Sequence, residues 1–365
     1  MRVLHVIARM NVGGTATYIA NLIHGLEKLG ISNLLVMGNV PKGEAEDSVI
    51  STIKYQRIET LSRELSFTQD RKAREEIERV IESFKPDLIH THTFKAGFLV
   101  RLRSREIPVI HSFHGHHLYD PEFGLIKRNV LTFIERLLAP RATRFITIGK
   151  KVRDELLEVG IGRAEQYLSI PPGIAPLGLF DEHGVRKRFG FGQDETLVLW
   201  LGRFTQVKRP DKVLEIARLL PKIRFVMAGG GELLDKVKID APRNVNFVGF
   251  QDKNEMWSIA DIALCTSDSE GMPLSLIEAQ MAGVAVVSTS VGSVSEILED
   301  GVTGYLAGKE IRDLAAKIEM VIQDLDSGAS MGKAARLRAE LEFSSLVMTN
   351  AHLGLYRKVL DRVAQ

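Results

Sequence analysis

Short apolar runs alternate with amphipathic stretches along the whole chain. RVLHVIA (2–8), NLLVMG (33–38), DLIHTH (87–92), PVIHSFH (108–114) and RFITIG (144–149) read as strands. Helical periodicity fills the intervals around 16–29, 70–84, 95–105 and 125–138. A second series follows, with strands LVLWLG (197–202), RFVMAG (224–229), VNFVG (245–249), IALC (262–265) and AVVST (285–289). Its helices fall around 210–220, 232–238, 253–260, 273–282 and 310–323. Such alternation predicts parallel sheets covered on both faces. Two series predict two Rossmann-like α/β domains. The Pro- and Gly-rich IPPGIAPLG (170–178) marks the seam. The domains are accordingly set at 1–172 and 173–343, with a final helix at 344–365 that has no strand after it.

Composition adds bounds. A length of 365 residues fits two domains, and 45% hydrophobic with 26% charged residues is the profile of a soluble globular protein. A formal charge of +2 argues against bulk nucleic-acid binding. Cys265 is the sole cysteine, so no intramolecular disulfide forms and a reducing, cytoplasmic setting fits. Its apolar strand predicts a buried thiol and not a nucleophile. No apolar run reaches transmembrane length, and MRVLHVIA reads as a first strand, not a signal peptide.

Open α/β sheets bind ligands beyond the carboxyl ends of their strands. The richest such segment is SEGMPLSLIEAQMAGVAVV (269–287). Glu270 ends the loop after strand 262–265, Gly271 permits a tight turn, and Pro273 suits the first position of a helix. Free N–H groups of Gly271, Met272 and Leu274 at that helix start favour an anion. Glu278 follows eight residues after Glu270. Phosphate at the helix tip with carboxylates on either side describes a sugar nucleotide. The plainer alternative makes Glu278 a solvated helix residue beside the Leu274, Ile277, Met281 stripe. In LGRFTQVKRP (201–210), Arg203 and Lys208 fall near one another at a strand end, where two cations hold a diphosphate; solvated loop cations are the plain alternative. AGGG (228–231) supplies another flexible turn at that edge. In the first half, RMNVGGT (9–15) places Gly13 and Gly14 directly after strand one, where backbone approaches a phosphate closely; this is not the G-x-G-x-x-G of dehydrogenases.

Six histidines, His90, His92, His111, His114, His116 and His117, raise the question of a metal. Strand alternation puts His90 and His92 on one face. Neither Cys nor many acids join them, so hydrogen-bonded structural roles are favoured over ligation, and His114 is the one suited to a polar substrate. From Phe123 to Arg153 eight cations accompany a single acid, Glu135, and an apolar set runs from Leu125 to Leu138. A core-packed helix with a solvated basic flank is the ordinary expectation. The alternative is contact of 123–153 with an anionic membrane, which suits a lipid-linked acceptor.

Taken in order, the GG after strand one, HSFHG, LGR…K and EGMPLSLIE resemble the family 4 retaining glycosyltransferases over nearly the whole chain. The resemblance implies the GT-B fold, with two Rossmann-like domains facing across a cleft and a last helix crossing back to the first. It implies catalytic roles for His114, Glu270, Arg203 and Lys208. Glu270 meets the donor sugar, Glu278 the ribose, Arg203 and Lys208 the diphosphate, Gly13 and Gly14 the phosphates, and backbone around Val248–Phe250, Gly249 among it, the base. No cofactor or metal is expected beyond a nucleotide diphosphate sugar, with UDP favoured over GDP on family frequency. The acceptor is a sugar or a lipid-linked sugar, as in polysaccharide or O-antigen assembly. A non-hydrolysing sugar-nucleotide epimerase and a catalytically silent sugar-nucleotide-binding protein are the alternatives.

Overall fold

The computed structural model describes residues 1–41, 43–103, 106–115, 124–327 and 331–363. The chain divides into two compact units, Met1–Ala175 with Ser345–Gln365, and Pro176–Ser344.

The first unit runs β1 (Arg2–Ile7), α1 (Gly14–Lys28), β2 (Ser32–Met37), β3 (Tyr55–Arg57), α2 (Phe67–Phe84), β4 (Leu88–His92), α3 (Thr93–Arg101), β5 (Val109–Phe113), α4 (Leu125–Leu138), β6 (Arg144–Thr147), α5 (Lys150–Glu158) and β7 (Tyr167–Ser169). Its sheet order is β3-β2-β1-β4-β5-β6-β7, parallel throughout. The strands β4 and β5 are buried at every residue. Helices cover both faces, so even the polar His90, Thr91, His92, His111 and Ser112 are withdrawn from solvent. Leu4, Val6, Val36, Ile77, Ile89 and Leu99 share one core cluster.

The second unit runs α6 (Glu182–Phe189), β8 (Leu197–Leu201), α7 (Pro210–Leu219), β9 (Arg224–Ala228), α8 (Leu234–Ile239), β10 (Val245–Gly249), α9 (Lys253–Ile259), β11 (Ile262–Cys265), α10 (Leu274–Met281), β12 (Ala285–Thr289), α11 (Val294–Ile297), β13 (Gly304–Ala307), α12 (Ile311–Asp326) and α13 (Met331–Glu342). Its order is β10-β9-β8-β11-β12-β13, again parallel. Trp200, Phe225, Val287 and Ile318 lie in its core.

The remaining helix, α14 (Ser345–Val363), belongs to the first unit and packs on α1. The two helices come so close that a Cβ on Gly25 would sit 2.1 Å from Thr349 Oγ1. The backbone enters α14 through Ser345 N donating to Ile174 O at 2.9 Å.

Three strands escape the periodicity: β3, β7 and β13 are three or four residues long and carry Gln, Arg, Ser or Gly. At a sheet margin a strand is covered less, so it needs no apolar run. The helix expected over 95–105 instead covers Thr93–Arg101; residues 104 and 105 lie outside the described set.

In both sheets the strand order reverses once, at β1/β4 and at β8/β11. Loops leave opposite sides of the sheet at such a point, which opens a crevice at the strands' carboxyl ends. The segments there are the loop 8–13 and the direct β4–α3 junction at His92–Thr93 in the first unit, and the loops 202–209 and 266–273 in the second.

Candidate active site

In the second unit the two crevice loops are stitched together by short polar contacts. Thr266 Oγ1 lies 2.9 Å from the carbonyl oxygens of both Lys208 and Arg209, and Trp200 Nε1 donates to the same hydroxyl at 3.1 Å. Asp268 N donates to Val207 O at 2.9 Å. The Asp268 carboxylate accepts from Arg209 at 3.0 Å and Lys212 at 3.2 Å. The loops are thereby held in register, and their functional side chains meet. Lys208 Nζ donates to Glu270 Oε1 at 2.5 Å, and Ser267 Oγ donates to the same oxygen at 2.6 Å.

Glu270 is largely buried and Lys208 three-quarters so. Burial alone would lower the Lys208 pKa, and the Arg203 charge pushes the same way. The Glu270 carboxylate outweighs both, so the ammonium is held above its ordinary value. Arg203 itself is exposed, which leaves its guanidinium in contact with solvent at the loop surface. Cys265 is buried, and burial together with the Glu270 charge pushes its thiol up. The sequence reading of a buried thiol agrees with this placement.

The helix α10 begins at Leu274, one residue later than the sequence implies, with Pro273 as its N-cap. Pro273 offers no side-chain cap and the first turn holds no acid. The tip therefore keeps its partial positive charge, with Gly271 and Met272 leading into it. Gly271 O is not free; it accepts from Ser293 N at 2.8 Å.

Glu278 is 4% exposed, so it is no solvated helix residue. Its Oε1 accepts from Lys253 Nζ at 2.9 Å, and Trp257 Nε1 lies 3.4 Å from Oε2. Both partners come from α9, which follows the β10 terminus carrying Gly249. The φ of 72° at Gly249 is one that glycine adopts without strain.

The 228–231 turn corrects the sequence reading. A Cβ on Gly229 would sit 2.0 Å from Gly202 O, and one on Gly231 2.7 Å from Phe204 O. These glycines let the β9 turn press against the loop carrying Arg203; their work is packing, not flexibility.

In the first unit Gly13 and Gly14 open α1, whose N-terminus likewise lacks a side-chain cap and an acid in its first turn. Beside them lies a buried polar cluster. Tyr18, from α1, donates to His352 Nε2 at 2.9 Å, and His352 Nδ1 lies 2.8 Å from Met348 O. His90 bonds Tyr356 OH and Ser112 Oγ, both at 2.6 Å. His5 lies 3.2 Å from His92, and His92 lies 3.0 Å from His114. His114 is half-buried, with its ring 4.6 Å from that of Tyr18.

Among the described residues, the histidines that approach one another closely enough for a metal are His5, His90 and His92. The sequence reading omitted His5, because it stands on a strand far from the other two in sequence; β1 and β4 pair with His5 opposite His90. All six ring nitrogens of this trio already have hydrogen-bond partners, which favours a hydrogen-bonded cluster. His111 stands apart, bonded to Thr91 Oγ1 at 2.9 Å. His116 and His117 lie outside the described residues. At the same edge Thr93, directly after His92, has φ 65°. A β-branched residue there costs about 1–3 kcal/mol, a kind of strain that concentrates at functional sites.

The helix α4 also departs from expectation. Leu131, Glu135 and Leu138 face inward, but Ile126, Val130, Phe133 and Leu137 are 83%, 49%, 59% and 59% exposed. Spaced 4, 3 and 4 apart, they form one apolar stripe on the outside of the helix. The lone acid of the segment, Glu135, is fully buried and paired with Arg101 at 2.8 Å. It pins α4 to α3 and withdraws the segment's one acid from the surface. Phe123 lies outside the described residues.

Comparisons with known proteins agree with this architecture. The model of Glycosyltransferase Family 4 matches residues 12–176, and that of Glycosyl transferases group 1 matches residues 182–338. The chain belongs to the family 4 glycosyltransferases. As a glycosyltransferase it is 26% identical over 311 residues to EpsD of Bacillus subtilis, itself named as a glycosyltransferase; that match takes in 78% of this chain and 80% of EpsD. It is 26% identical over 309 residues to a D-inositol 3-phosphate glycosyltransferase of Mycobacterium ulcerans, covering 75% of this chain but only 64% of that relative's length. Among solved structures it is similar to HepE of Anabaena in complex with UDP and glucose, with a TM-score of 0.82, 19% identity, and coverage of 98% and 100% of the two chains. The glycosyltransferase therefore has the GT-B type of architecture, two Rossmann-like parallel-sheet domains. Among the described residues no helix is long and apolar enough to cross a membrane.

Proposed function

We propose that this enzyme moves a hexose or N-acetylhexosamine from a nucleotide diphosphate sugar to a sugar or lipid-linked acceptor, with retention of anomeric configuration and without a divalent ion. UDP is the favoured nucleotide. The observation that carries the reading is the Lys208–Glu270 pair beside the uncapped start of α10, at the switch point of the second sheet.

Breaking a sugar–phosphate bond leaves negative charge on the diphosphate and positive charge on the sugar ring. In this reading Arg203 and Lys208 face the diphosphate together with the N–H groups from Gly271 to Leu274. Such preorganised donors gain strength as the leaving group gains charge, which is the task a divalent ion performs elsewhere. Lys208 pairs with Glu270 before the donor arrives, so the diphosphate shares or takes over that ammonium. Glu270 is then oriented by Ser267 toward the sugar hydroxyls. Glu278 and the backbone near Gly249 hold the ribose and base, and His114 accepts a sugar hydroxyl. The D-inositol 3-phosphate and EpsD relatives support transfer over epimerisation. The exposed stripe of α4, on a segment rich in cations, supports docking on an anionic membrane that carries the acceptor.

A thermal-shift panel of UDP, GDP, ADP and their sugars tests this. A bound nucleotide at 100 times its dissociation constant adds about 2.7 kcal/mol to stability. Stabilisation by a UDP-sugar, with the shift lost in Arg203→Ala, is the expected result. A flat panel overturns the donor reading. Release of an epimer from the UDP-sugar alone overturns transfer.

A further inference from the structure

We propose that Asn33, His5 and His92 form a directed relay that fixes the tautomer of His114, so that His114 presents an unprotonated Nδ1. The three are positioning residues; His114 is the one that meets a substrate. The relay follows from bond directions alone. Asn33 Nδ2 donates to the Ile31 carbonyl at 3.0 Å, which settles the orientation of the amide. Asn33 Oδ1 therefore faces His5 Nε2, at 3.2 Å, and only an N–H can meet an amide oxygen there. In a neutral imidazole the proton on Nε2 leaves Nδ1 bare. His5 Nδ1 lies 3.2 Å from His92 Nε2, so His92 supplies the proton of that bond. His92 Nδ1 is then bare in turn, and His114 Nε2, 3.0 Å away, must donate to it. One proton remains to be placed on His114, and it is already on Nε2.

The relay requires neutral rings. His5 and His92 are fully buried, and burial drives the pKa of His5, His92 and His114 well below the ordinary histidine value. It also requires fixed rings. His5 stacks on His92 at 5.5 Å, with 15° between their planes, and Tyr18 meets His114 edge-on. A parallel device holds the neighbouring ring: His352 donates from Nδ1 to Met348 O, so its Nε2 receives the Tyr18 proton. The bare Nδ1 of His114 is an acceptor, so it selects a ligand hydroxyl and disfavours a ligand carboxylate or carbonyl. That use of the lone pair rests on the sugar-binding reading above; the tautomer does not.

Long-range proton–nitrogen NMR on the full chain labelled with 15N-histidine tests the relay, with His114 assigned by the signal missing in His114→Gln. We expect an unprotonated Nδ1 and a protonated Nε2 on His114 at neutral pH. An Nδ1–H tautomer, or an imidazolium, overturns the relay. Asn33→Leu removes the anchor, and should convert the His114 signals to a mixture of tautomers while kcat/KM falls about tenfold, the scale of one hydrogen bond. An unchanged His114 signal in that variant also overturns the relay. A changed signal with unchanged kcat/KM overturns only the catalytic use of His114. The unsubstituted protein decides the tautomer, so a variant that fails to fold leaves the test intact.

Discussion

Gly292 leaves no room for a side chain beside Glu270: a Cβ at 292 would sit 1.7 Å from the Glu270 carbonyl oxygen and 3.1 Å from that of Gly271. Its φ of 54° is also one that glycine adopts most readily. The next residue, Ser293, donates its N–H to Gly271. The β12–α11 loop is thus the floor on which the Glu270 turn rests. Gly292→Ala should push that turn away from Lys208 and lower turnover by more than tenfold. Circular dichroism should show the fold retained. Normal kinetics in Gly292→Ala would mean that the turn adjusts without loss.

Arg203 offers the cleanest probe of charge on the leaving group, because it is exposed and its loss should hardly disturb the fold. Arg203→Ala should lower kcat by on the order of 10²–10³, the usual scale for one transition-state donor. Steady-state kinetics with the donor found by the nucleotide panel measure this, and near-normal turnover removes Arg203 from the mechanism.

Glu278 calls for a different signature. Contacts to a ribose are alike in the ground and transition states, so Glu278→Ala should raise the donor KM about tenfold and leave kcat nearly unchanged. Lys253 is half-exposed and can return to solvent, so Lys253→Met should have the smaller effect. Equal loss of kcat and kcat/KM in Glu278→Ala would place that carboxylate at the reacting centre instead.

The histidine cluster makes the fold sensitive to acid. His5 and His352 fall to about 4, and His114 to about 3, chiefly through burial. Unfolded, each titrates near 6.5. Below that value the unfolded chain takes up protons that the folded cluster refuses. The stability the neutral rings contribute is therefore complete above about pH 6.5 and is lost as pH falls toward 4. Melting should be several degrees lower at pH 5 than at pH 7.5, and His352→Gln should flatten that dependence. A melting temperature independent of pH over this range would show that the cluster protonates in place.

Membrane docking through α4 is tested at Ile126 and Phe133. The pair Ile126→Asp and Phe133→Asp should abolish flotation with anionic vesicles while leaving turnover on a soluble acceptor intact. Retained flotation would exclude the α4 stripe as the contact.

The strands of both sheets were legible because burial on two faces writes them as apolar runs. Their margins were not: Tyr55–Arg57 and Tyr167–Ser169 are too short and too polar to be told from loops. Among the candidate residues, Glu270, Arg203 and Lys208 stood out because each lies in a loop after a strand end, and Glu278 because of its spacing in the helix that follows. The bond between Lys208 and Glu270 was less legible. Ser267, Thr266 and Gly292 set the geometry through a hydroxyl or a missing Cβ, and such residues are too common in loops to signal anything alone. His5 escaped for another reason: it joins His90 and His92 only through strand pairing, which no local pattern records. The α4 stripe was readable as apolar, but sequence cannot say which face of an amphipathic helix finds a partner.

The first unit is written in two pieces, and α14 reaches the ribosome exit only after the whole second unit. At about 5–20 residues per second, the intervening segment takes on the order of ten seconds to make. Through that time the nascent first sheet lacks His352 and Tyr356, and His90 and Tyr18 must find water instead. A newborn chain therefore waits with a wet, unfinished heart, and any truncation before residue 345 would leave it so permanently.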